Sequence, residues 1–505
     1  MSFEIGTASS YEDLFLKLET FLTAAGHAFG KTFTGTGTGD LINYKGKTGT
    51  VAQTITLTAT SATSFSVVGS VSGSLGTATV GTPFTSAQID FTITAGGTAY
   101  VAGDVWKINL SPKWPLTRAF NGCWLNDASN TGASGNITHS GAVRIASIRM
   151  IRAVEVKEIV YGTVAAAGTP STLIVEWSDD GTSWTAASTF SGVTTGWTAG
   201  VDRRFTVAAA GAHRWWRVRL TAYNSTQFEY RYLDFTDVAS AADGLANNRP
   251  WMVVQCPGND GALTSVYHSI AADDAARGSD IFGIWLIPHR AYDPIYHAYT
   301  QPTREQGIAT AVPVANFAMN YWFVANGRRL IFAVKVSTVY VTGYMGLMIP
   351  YARPSSYPLP WFVGGSVNNP QRRWSDTDSN LTHVWNRSSD SGGQAYVRAI
   401  DGLWKLVSSH TTDSSPTTAT TRWYPHWGAL RLNYLRENFG GGYPLLPFIP
   451  FVTNLGPMGE IDGGFWTSGF GNAAENIIRL DRIDHVVMQN VFRTTIGDYW
   501  ALKLD

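Results

Sequence analysis

The stretch WSDDGTSWTAASTF, residues 177–190, contains the carboxylates that by type and spacing could do chemistry, Asp179 and Asp180. A calcium loop needs further acids at alternate positions, but no acid follows until Asp202. A pair of glycosidase acids comes from separated positions that face each other across a cleft, whereas neighbours on a strand point apart. An acid followed by a glycine suits a tight turn directly. The pattern therefore favours a hairpin bend.

The other candidate ligands are a second acidic stretch and two histidines. The sequence DTDSN at 376–380 has alternating oxygen ligands, but it lacks the glycine and the distal glutamate of a calcium loop, and Arg387 stands where the acid should be. His289 and His297 lie eight residues apart around a proline, and no HExxH pair occurs. We expect a plain loop, hydrogen-bonded histidines and no metal site.

Motifs for catalysis and for cofactors are missing from the sequence. There is no Gly-x-Ser-x-Gly nucleophile elbow and no phosphate-binding loop. Gly-x-Gly sequences such as Gly35-Thr36-Gly37 occur among predicted strands and turns rather than before a helix. Asp401 and Asp462, the scattered candidates for a catalytic acid, each precede a glycine and so favour turns. We expect no catalytic residue, no cofactor and no enzymatic activity.

Composition limits the class of partner. The 505 residues include 37 basic and 37 acidic side chains, so no overall field draws the chain to nucleic acid or acidic lipid. Charged residues make up only 15% of the chain, while 51 glycines and 19 tryptophans stand out. Low charge with many aromatic residues is typical of surfaces that lie against other subunits.

The cysteines and the apolar stretches place the protein in a cell compartment. Cys123 and Cys256 lie far apart, which excludes a disulfide scaffold and a zinc site built from cysteines. The start of the chain has no basic segment followed by an apolar run, and Val336–Pro350 is too short and too polar to cross a bilayer. We expect a soluble protein without a leader or membrane insertion, made in a reducing cytoplasm.

One helix is predicted near the start of the chain. Ser9 and Glu12 form a capping-box pattern, apolar residues then recur at helical spacing from Tyr11 to Leu22, and Gly26 is a stop. A single short helix with a wide apolar face is not stable alone. We expect it to dock on a neighbouring subunit, so that removing residues 1–26 leaves a folded protein that does not assemble.

The rest of the sequence predicts a mostly β, multidomain protein with β-sandwich and jelly-roll domains and a large β-rich C-terminal domain. Stretches in which threonine and valine alternate, interrupted by glycines, predict a small antiparallel sandwich. Near the C-terminus, proline-rich segments between short strands predict long ordered loops. The predicted units are a helical docking segment, a small sandwich, a jelly roll and the C-terminal domain, at 1–30, 31–112, 113–242 and 243–505.

The middle block shows the clearest strand pattern. In HRWWRVRLTAY, residues 213–223, alternation places Trp216, Val218 and Leu220 on one face, and the two arginines between them on the other. Strands on either side of the Asp-Gly bend would bury the two tryptophans of WSDDGTSW. Together, WSDDGTSWT and HRWWRVRLT resemble the strand pair of discoidin-like, galactose-binding jelly rolls, over roughly residues 113–240. The framing disulfide of the secreted members is missing, and no sugar-contact residue carries over.

Both ends of the chain carry a second resemblance. The stretches YWFVANGRRLIFAVKVSTVYVTGYMGLMIPYARPSSYPLPWFVGGS, IDGLWK and GEIDGGFWTSGFGNAAENIIRLDRIDHVVMQNVFRTTIGDYWALKLD look like the ending of a family of tailed-bacteriophage virion proteins. YEDLFLKLETFLT and FTITAGGTAYVAGDVWKI are similar to the front of that family. The resemblance implies a structural component of the tail, baseplate or collar, located in the virion and made in the host bacterial cytoplasm.

The functional hypothesis is a structural subunit that contacts other virion proteins and copies of itself. One alternative is a receptor-binding adhesin for host-surface glycan, which pocketed tryptophans with nearby acids and amides would favour. A less favoured alternative is a polysaccharide depolymerase, which needs two facing acids. The predicted interface residues are the apolar face of the helix and four tryptophans: Leu14, Phe15, Leu18, Phe21, Leu22, Trp361, Trp374, Trp423 and Trp427.

Overall fold

The computed structural model describes most of the chain between residues 3 and 504. The described residues exclude 48–50, 52, 113, 115, 121, 125–136, 140–142, 165–167, 224–227, 238–249, 257–265, 275–280, 294–309, 354, 368–371, 377–380, 382–383, 385–393, 408–442, 453, 481–482 and 495–497. Strands dominate this part of the chain, and α1 is its single α-helix. The predicted mostly β architecture is confirmed.

The first part of the chain contains the helix and nine strands. They are β1 (Phe3–Ala8), α1 (Tyr11–Thr23), β2 (Ala25–Thr34), β3 (Leu41–Gly46), β4 (Gln53–Ala59), β5 (Ser64–Gly69), β6 (Gly73–Thr79), β7 (Pro83–Thr85), β8 (Ile89–Ile93) and β9 (Val105–Pro112). The middle part contains β10 (Leu116–Phe120), β11 (Gly122–Trp124), β12 (Ile137–His139), β13 (Arg144–Val154), β14 (Glu158–Thr163), β15 (Pro170–Ser178), β16 (Thr185–Ser191), β17 (Asp202–Thr206), β18 (His213–Tyr223) and β19 (Phe228–Thr236).

The remaining strands belong to the C-terminal part of the chain. They begin with β20 (Trp251–Gln255), β21 (Tyr267–Asp274), β22 (Phe282–His289), β23 (Thr310–Val314), β24 (Met319–Ala325), β25 (Arg329–Val336), β26 (Val339–Leu347), β27 (Ile349–Pro350), β28 (Trp361–Gly365), β29 (Gln394–Arg398) and β30 (Trp404–Leu406). They end with β31 (Leu446–Pro447), β32 (Phe451–Val452), β33 (Gly456–Pro457), β34 (Gly459–Glu460), β35 (Gly464–Thr467), β36 (Ile477–Leu480), β37 (Ile483–Gln489) and β38 (Tyr499–Lys503).

Residues 25–112 form a small sandwich that is inserted between α1 and the rest of the chain. Its two sheets have the orders β2-β9-β4-β5-β6 and β3-β8-β7, and they enclose a separate apolar core. The first and last strands pair, with Ala25 opposite Pro112, and the Trp114 amide then donates to the carbonyl of Leu22 at 3.0 Å. The chain therefore leaves α1 and returns beside it.

Residues 122–236 form a second sandwich. Its sheets have the orders β11-β13-β18-β15-β16 and β12-β19-β14-β17. The predicted alternation in β18 is confirmed, because Trp216, Val218 and Leu220 are fully buried in the core between these sheets. The predicted unit boundaries stay predictions, since sheet order describes packing rather than independent folding.

The C-terminal body is built around two sheets that are covered on both faces. The five-stranded sheet β10-β20-β21-β22-β23 lies between the core it shares with α1 and the core of the second sandwich. The seven-stranded sheet β1-β24-β25-β26-β28-β29-β30 lies between the same α1 core and a third core shared with β31-β35-β38-β37-β36. Double burial explains why strands such as RLIFAVKV are nearly continuous apolar runs.

Helix α1 docks on its own chain. Leu14, Phe15, Leu18, Phe21 and Leu22 are at most 2% exposed, in one core with β21, β22 and β24. The expectation that this face binds a neighbouring subunit is therefore wrong, because the two doubly covered sheets of the same chain supply the apolar surface that the helix needs. Preceding α1, β1 pairs antiparallel with β24, more than 300 residues further on.

Burial of α1 predicts the effect of truncating its side chains. Phe15→Ala should lower the free energy of unfolding of the C-terminal body by about 3–5 kcal/mol, since it leaves a cavity in a core without solvent access. Urea unfolding followed by tryptophan fluorescence measures this change. Thr20→Ala, at an exposed position of the same helix, is the control and should be close to wild type. A Phe15→Ala protein as stable as this control would show that α1 is dispensable for the fold.

Burial of His268 predicts that the C-terminal body loses stability in acid. Complete burial, and secondarily the proximity of His289, hold the pKa of His268 well below its ordinary value of 6.5. Its Nε2 accepts a hydrogen bond from Trp361 Nε1 at 3.2 Å, which requires the neutral ring. Between the unfolded and the folded pKa, the unfolded state binds a proton that the folded state does not, so stability falls as the pH drops below 6.5.

The measurement is the free energy of unfolding as a function of pH. His268 should contribute a slope of up to about 1.4 kcal/mol per pH unit below the pKa that it has in the unfolded state. His268→Gln keeps a hydrogen-bond acceptor for Trp361 and should lose that part of the slope. Identical slopes in the two proteins would contradict the assignment.

Candidate functional site

The opening acidic stretch forms a hairpin bend between β15 and β16, as predicted. Asp180 Oδ1 accepts hydrogen bonds from the backbone amides of Thr182 and Ser183, both at 2.7 Å, and from Ser178 Oγ at 2.8 Å. These bonds, those from Ser183 and Thr182 first, hold the pKa of Asp180 far below its ordinary value. Gly181 has φ 75°, which glycine adopts without strain. The carboxylate closes the turn.

The neighbouring acid contacts a histidine. Asp179 Oδ1 lies 2.9 Å from Nδ1 of His213, and the His213 ring stacks on Trp177 with centroids 3.6 Å apart. Trp184 lies under the guanidinium of Arg217, 4.1 Å from its ring centroid. Both tryptophans are half-buried, so the expectation that the hairpin buries them is only partly met.

Two arginines on the outer face of β18 share one carboxylate of the same sheet. Arg217 Nε and Arg219 Nη2 donate to the Glu176 carboxylate at 2.6 and 2.9 Å. Burial alone would raise the pKa of Glu176, but the hydrogen bonds from these two guanidiniums outweigh burial and hold it below its usual range. Glu176 therefore offsets one of the two positive charges.

Two of the four predicted interface tryptophans lie in the described part of the chain. Trp361 is fully buried and belongs to the core, so its predicted place at a subunit interface is wrong. Trp374 is half-buried and meets Phe317 edge-on at 5.7 Å. Trp423 and Trp427 lie outside the described residues.

The other candidate site residues make hydrogen bonds or ion pairs within the fold, where the structure describes them. His289 is buried, with Nε2 at 2.5 Å from Ser269 Oγ. Asp401 Oδ1 accepts from the amide of Leu403 at 2.9 Å, in the predicted turn. Asp462 lies 3.4 Å from Nε of the fully buried Arg329. His297 and residues 377–380 of the second acidic stretch lie outside the described residues. In the described part of the chain, no group of three or more His, Cys, Asp and Glu side chains could hold a metal ion.

A groove opens between the edges of two packed sheets, where β1 and β24 face β36 and β37. Its volume is about 340 Å³, and it is lined by Ile5, Gly6, Thr7, Asn320, Trp322, Glu475, Ile477 and Val486. Residues from both ends of the chain meet here, because β1 is the edge strand of one sheet and β36 the edge strand of the other. Sequence reasoning missed this groove, since no local pattern links strands so far apart.

Three polar side chains sit among the apolar walls of the groove. Thr7 Oγ1 donates to Asn320 Oδ1 at 2.9 Å. Glu475 Oε1 accepts from Lys335 Nζ and from Tyr340 Oη, both at 2.5 Å. These two hydrogen bonds, that from Lys335 first, lower the pKa of Glu475, so it stays ionised at neutral pH. Burial, and next the bond to Glu475, raise the pKa of Tyr340 to about 12.

No helix among the described residues is long and apolar enough to cross a membrane.

Comparisons with known proteins return no relative that identifies this chain. No protein-family model matches it, and no curated protein does. Among solved structures, the matches include FlgL from Xanthomonas campestris, with 24% identity, a TM-score of 0.14, and coverage of 18% of this chain and 29% of that one. The chain thus spans less than a third of the length of that FlgL.

Two further solved structures also match part of this chain. The C-terminal domain of a chitobiase from Bacteroides fragilis matches with 16% identity, a TM-score of 0.19, and coverage of 25% of this chain and 94% of that one. A fucolectin from Morone saxatilis matches with 8% identity, a TM-score of 0.19, and coverage of 40% and 83%. TM-scores this low are far from those of shared folds, so none of these likenesses bears on the function of this chain.

The hairpin predicts a clear difference between two substitutions of Asp180. Asp180→Asn keeps an oxygen that can accept the amides of Thr182 and Ser183, and it should melt close to wild type. Asp180→Ala removes the acceptor and should lower the melting temperature of the second sandwich. Differential scanning calorimetry at neutral pH measures both. An asparagine variant as impaired as the alanine variant would show that the charge, rather than the turn geometry, matters.

Proposed function

We propose that this chain is a structural subunit that assembles through the open edges of its seven-stranded sheet. At one end of that sheet β1 pairs only with β24, and at the other end β30 pairs only with β29, among the described residues. An edge strand presents unpaired N–H and C=O groups, and these are a template for another strand. The two open edges are the observation that carries the proposal.

Apolar side chains at both edges support the proposal. Ile5 on β1 is 50% exposed, and Leu403, next to β30, is 59% exposed. The edges also carry charged residues, Glu4 on β1 and Lys405 on β30, but apolar residues this exposed favour association. The overall charge of zero adds no repulsion between copies.

The two edges differ in sequence, which favours head-to-tail contact between copies. Contact between two different surfaces of one protein generates a ring if the rotation closes and a filament if it does not. The sequence resemblance to tailed-bacteriophage virion proteins motivates the finer proposal of a tail, baseplate or collar component, with other virion proteins as further partners. In this proposal the chain acts by binding and not as an enzyme, in the virion and with no nucleic acid or membrane as partner.

Light scattering coupled to gel filtration tests the assembly. The wild-type protein should have a defined mass that is a multiple of 54.8 kDa. Ile5→Lys and Leu403→Lys should each reduce that mass, because a buried lysine costs several kcal/mol at an apolar contact. Val71→Lys, at an exposed position of the small sandwich, is the control and should assemble as wild type. A monomeric wild type, or an oligomer that both edge variants leave intact, would refute the proposal.

A further inference from the structure

The groove between β1, β24, β36 and β37 presents a hydrogen-bond donor and an acceptor that the described residues do not use. Asn320 takes the Thr7 hydroxyl on its oxygen, which leaves its amide nitrogen available to donate. Glu475 takes both Lys335 and Tyr340 on Oε1, which leaves Oε2 available to accept. A ligand in the groove therefore meets an amide donor and a carboxylate acceptor together.

The other walls of the groove are apolar. Trp322 and Val486 are almost fully buried, while Ile5 and Ile477 are half-exposed. Mostly apolar walls with a few convergent polar groups are typical of small-molecule sites, whose volumes run from about 300 to 1,000 Å³. The groove, at about 340 Å³, is at the small end of that range.

We propose that this groove binds a neutral saccharide, beside the β1 edge through which the chain assembles. Neighbouring hydroxyls of a sugar both donate and accept, so one can donate to Glu475 Oε2 while another accepts from the Asn320 amide. The C–H faces of the ring pack against Ile477, which is 54% exposed. A sugar can therefore contact the polar and the apolar side chains of the groove at the same time.

Charge in the groove selects a neutral ligand. The Glu475 carboxylate is balanced by Lys335, which it holds at 2.5 Å, so the pair has no net charge to attract an ion. An anionic sugar would approach a carboxylate, and a cation would compete with Lys335. An extended peptide would pair with the backbone of β1 and would make no use of the donor and acceptor on Asn320 and Glu475.

Binding is tested with the full chain on a panel of immobilised neutral oligosaccharides and, for those that bind, by titration calorimetry with the free sugar. At least one should bind, and Asn320→Ala and Glu475→Ala should each weaken it by about tenfold, the effect of losing one hydrogen bond to a polar or charged group. If no saccharide binds at millimolar concentration, or if both variants bind as wild type, the proposal is wrong.

A steric pair of variants separates the groove from the rest of the surface. Ile477→Trp places a larger side chain in the groove and should abolish binding, whereas Leu480→Trp, half-exposed on the same strand outside the lining, should bind as wild type. Equal binding by both variants would contradict the location. Melting temperature and oligomer mass are measured for each variant. Asn320→Ala should keep the wild-type mass, so failure of saccharide binding and failure of assembly are read separately.

Discussion

Burial of the apolar face of α1 is the contact on which the rest of the structure depends. Tyr11 stacks on Phe282, with centroids 4.7 Å apart, and Phe21 packs on Phe323 at 5.6 Å, so the helix touches both large sheets of the C-terminal body. Its acidic side also pairs with the second sandwich, where Arg152 donates to Glu19 at 2.7 Å. One 13-residue helix thus joins three sheets, and each of them buries apolar surface against a neighbour.

Docking of the helix determines where the functional surfaces lie. Because α1 is held in the body, β1 is brought to β24 and becomes the edge of the seven-stranded sheet. The same placement sets β1 opposite β36 and creates the groove between the ends of the chain. The small sandwich, by contrast, has its own core and leaves and rejoins the chain beside α1. Assembly edges and groove therefore belong to the body.

The sequence predicted features that local chemistry decides. The bend at Asp180 was predictable because an acid before glycine closes a turn with its own backbone amides. The outward and inward faces of β18 followed from strand alternation. The helix was predicted from Tyr11 onward, but its cap is shifted by one residue: Ser10 is the N-cap and accepts from the amide of Asp13, while Asp13 accepts from the amide of Ser9. Because Ser9 and Ser10 are both suitable N-cap residues, the sequence does not decide which of them caps the helix.

What the sequence by itself determined is therefore the strand-rich class, the helix, the turn and the faces of single strands, because each depends on residues a few positions apart. Only the tertiary structure decided which surface covers the helix, that Trp361 is a core residue, and that Asn320 and Glu475 meet at one groove. An apolar side chain gains the same free energy against its own chain as against a partner. The choice depends on which complementary surface long-range folding brings within reach.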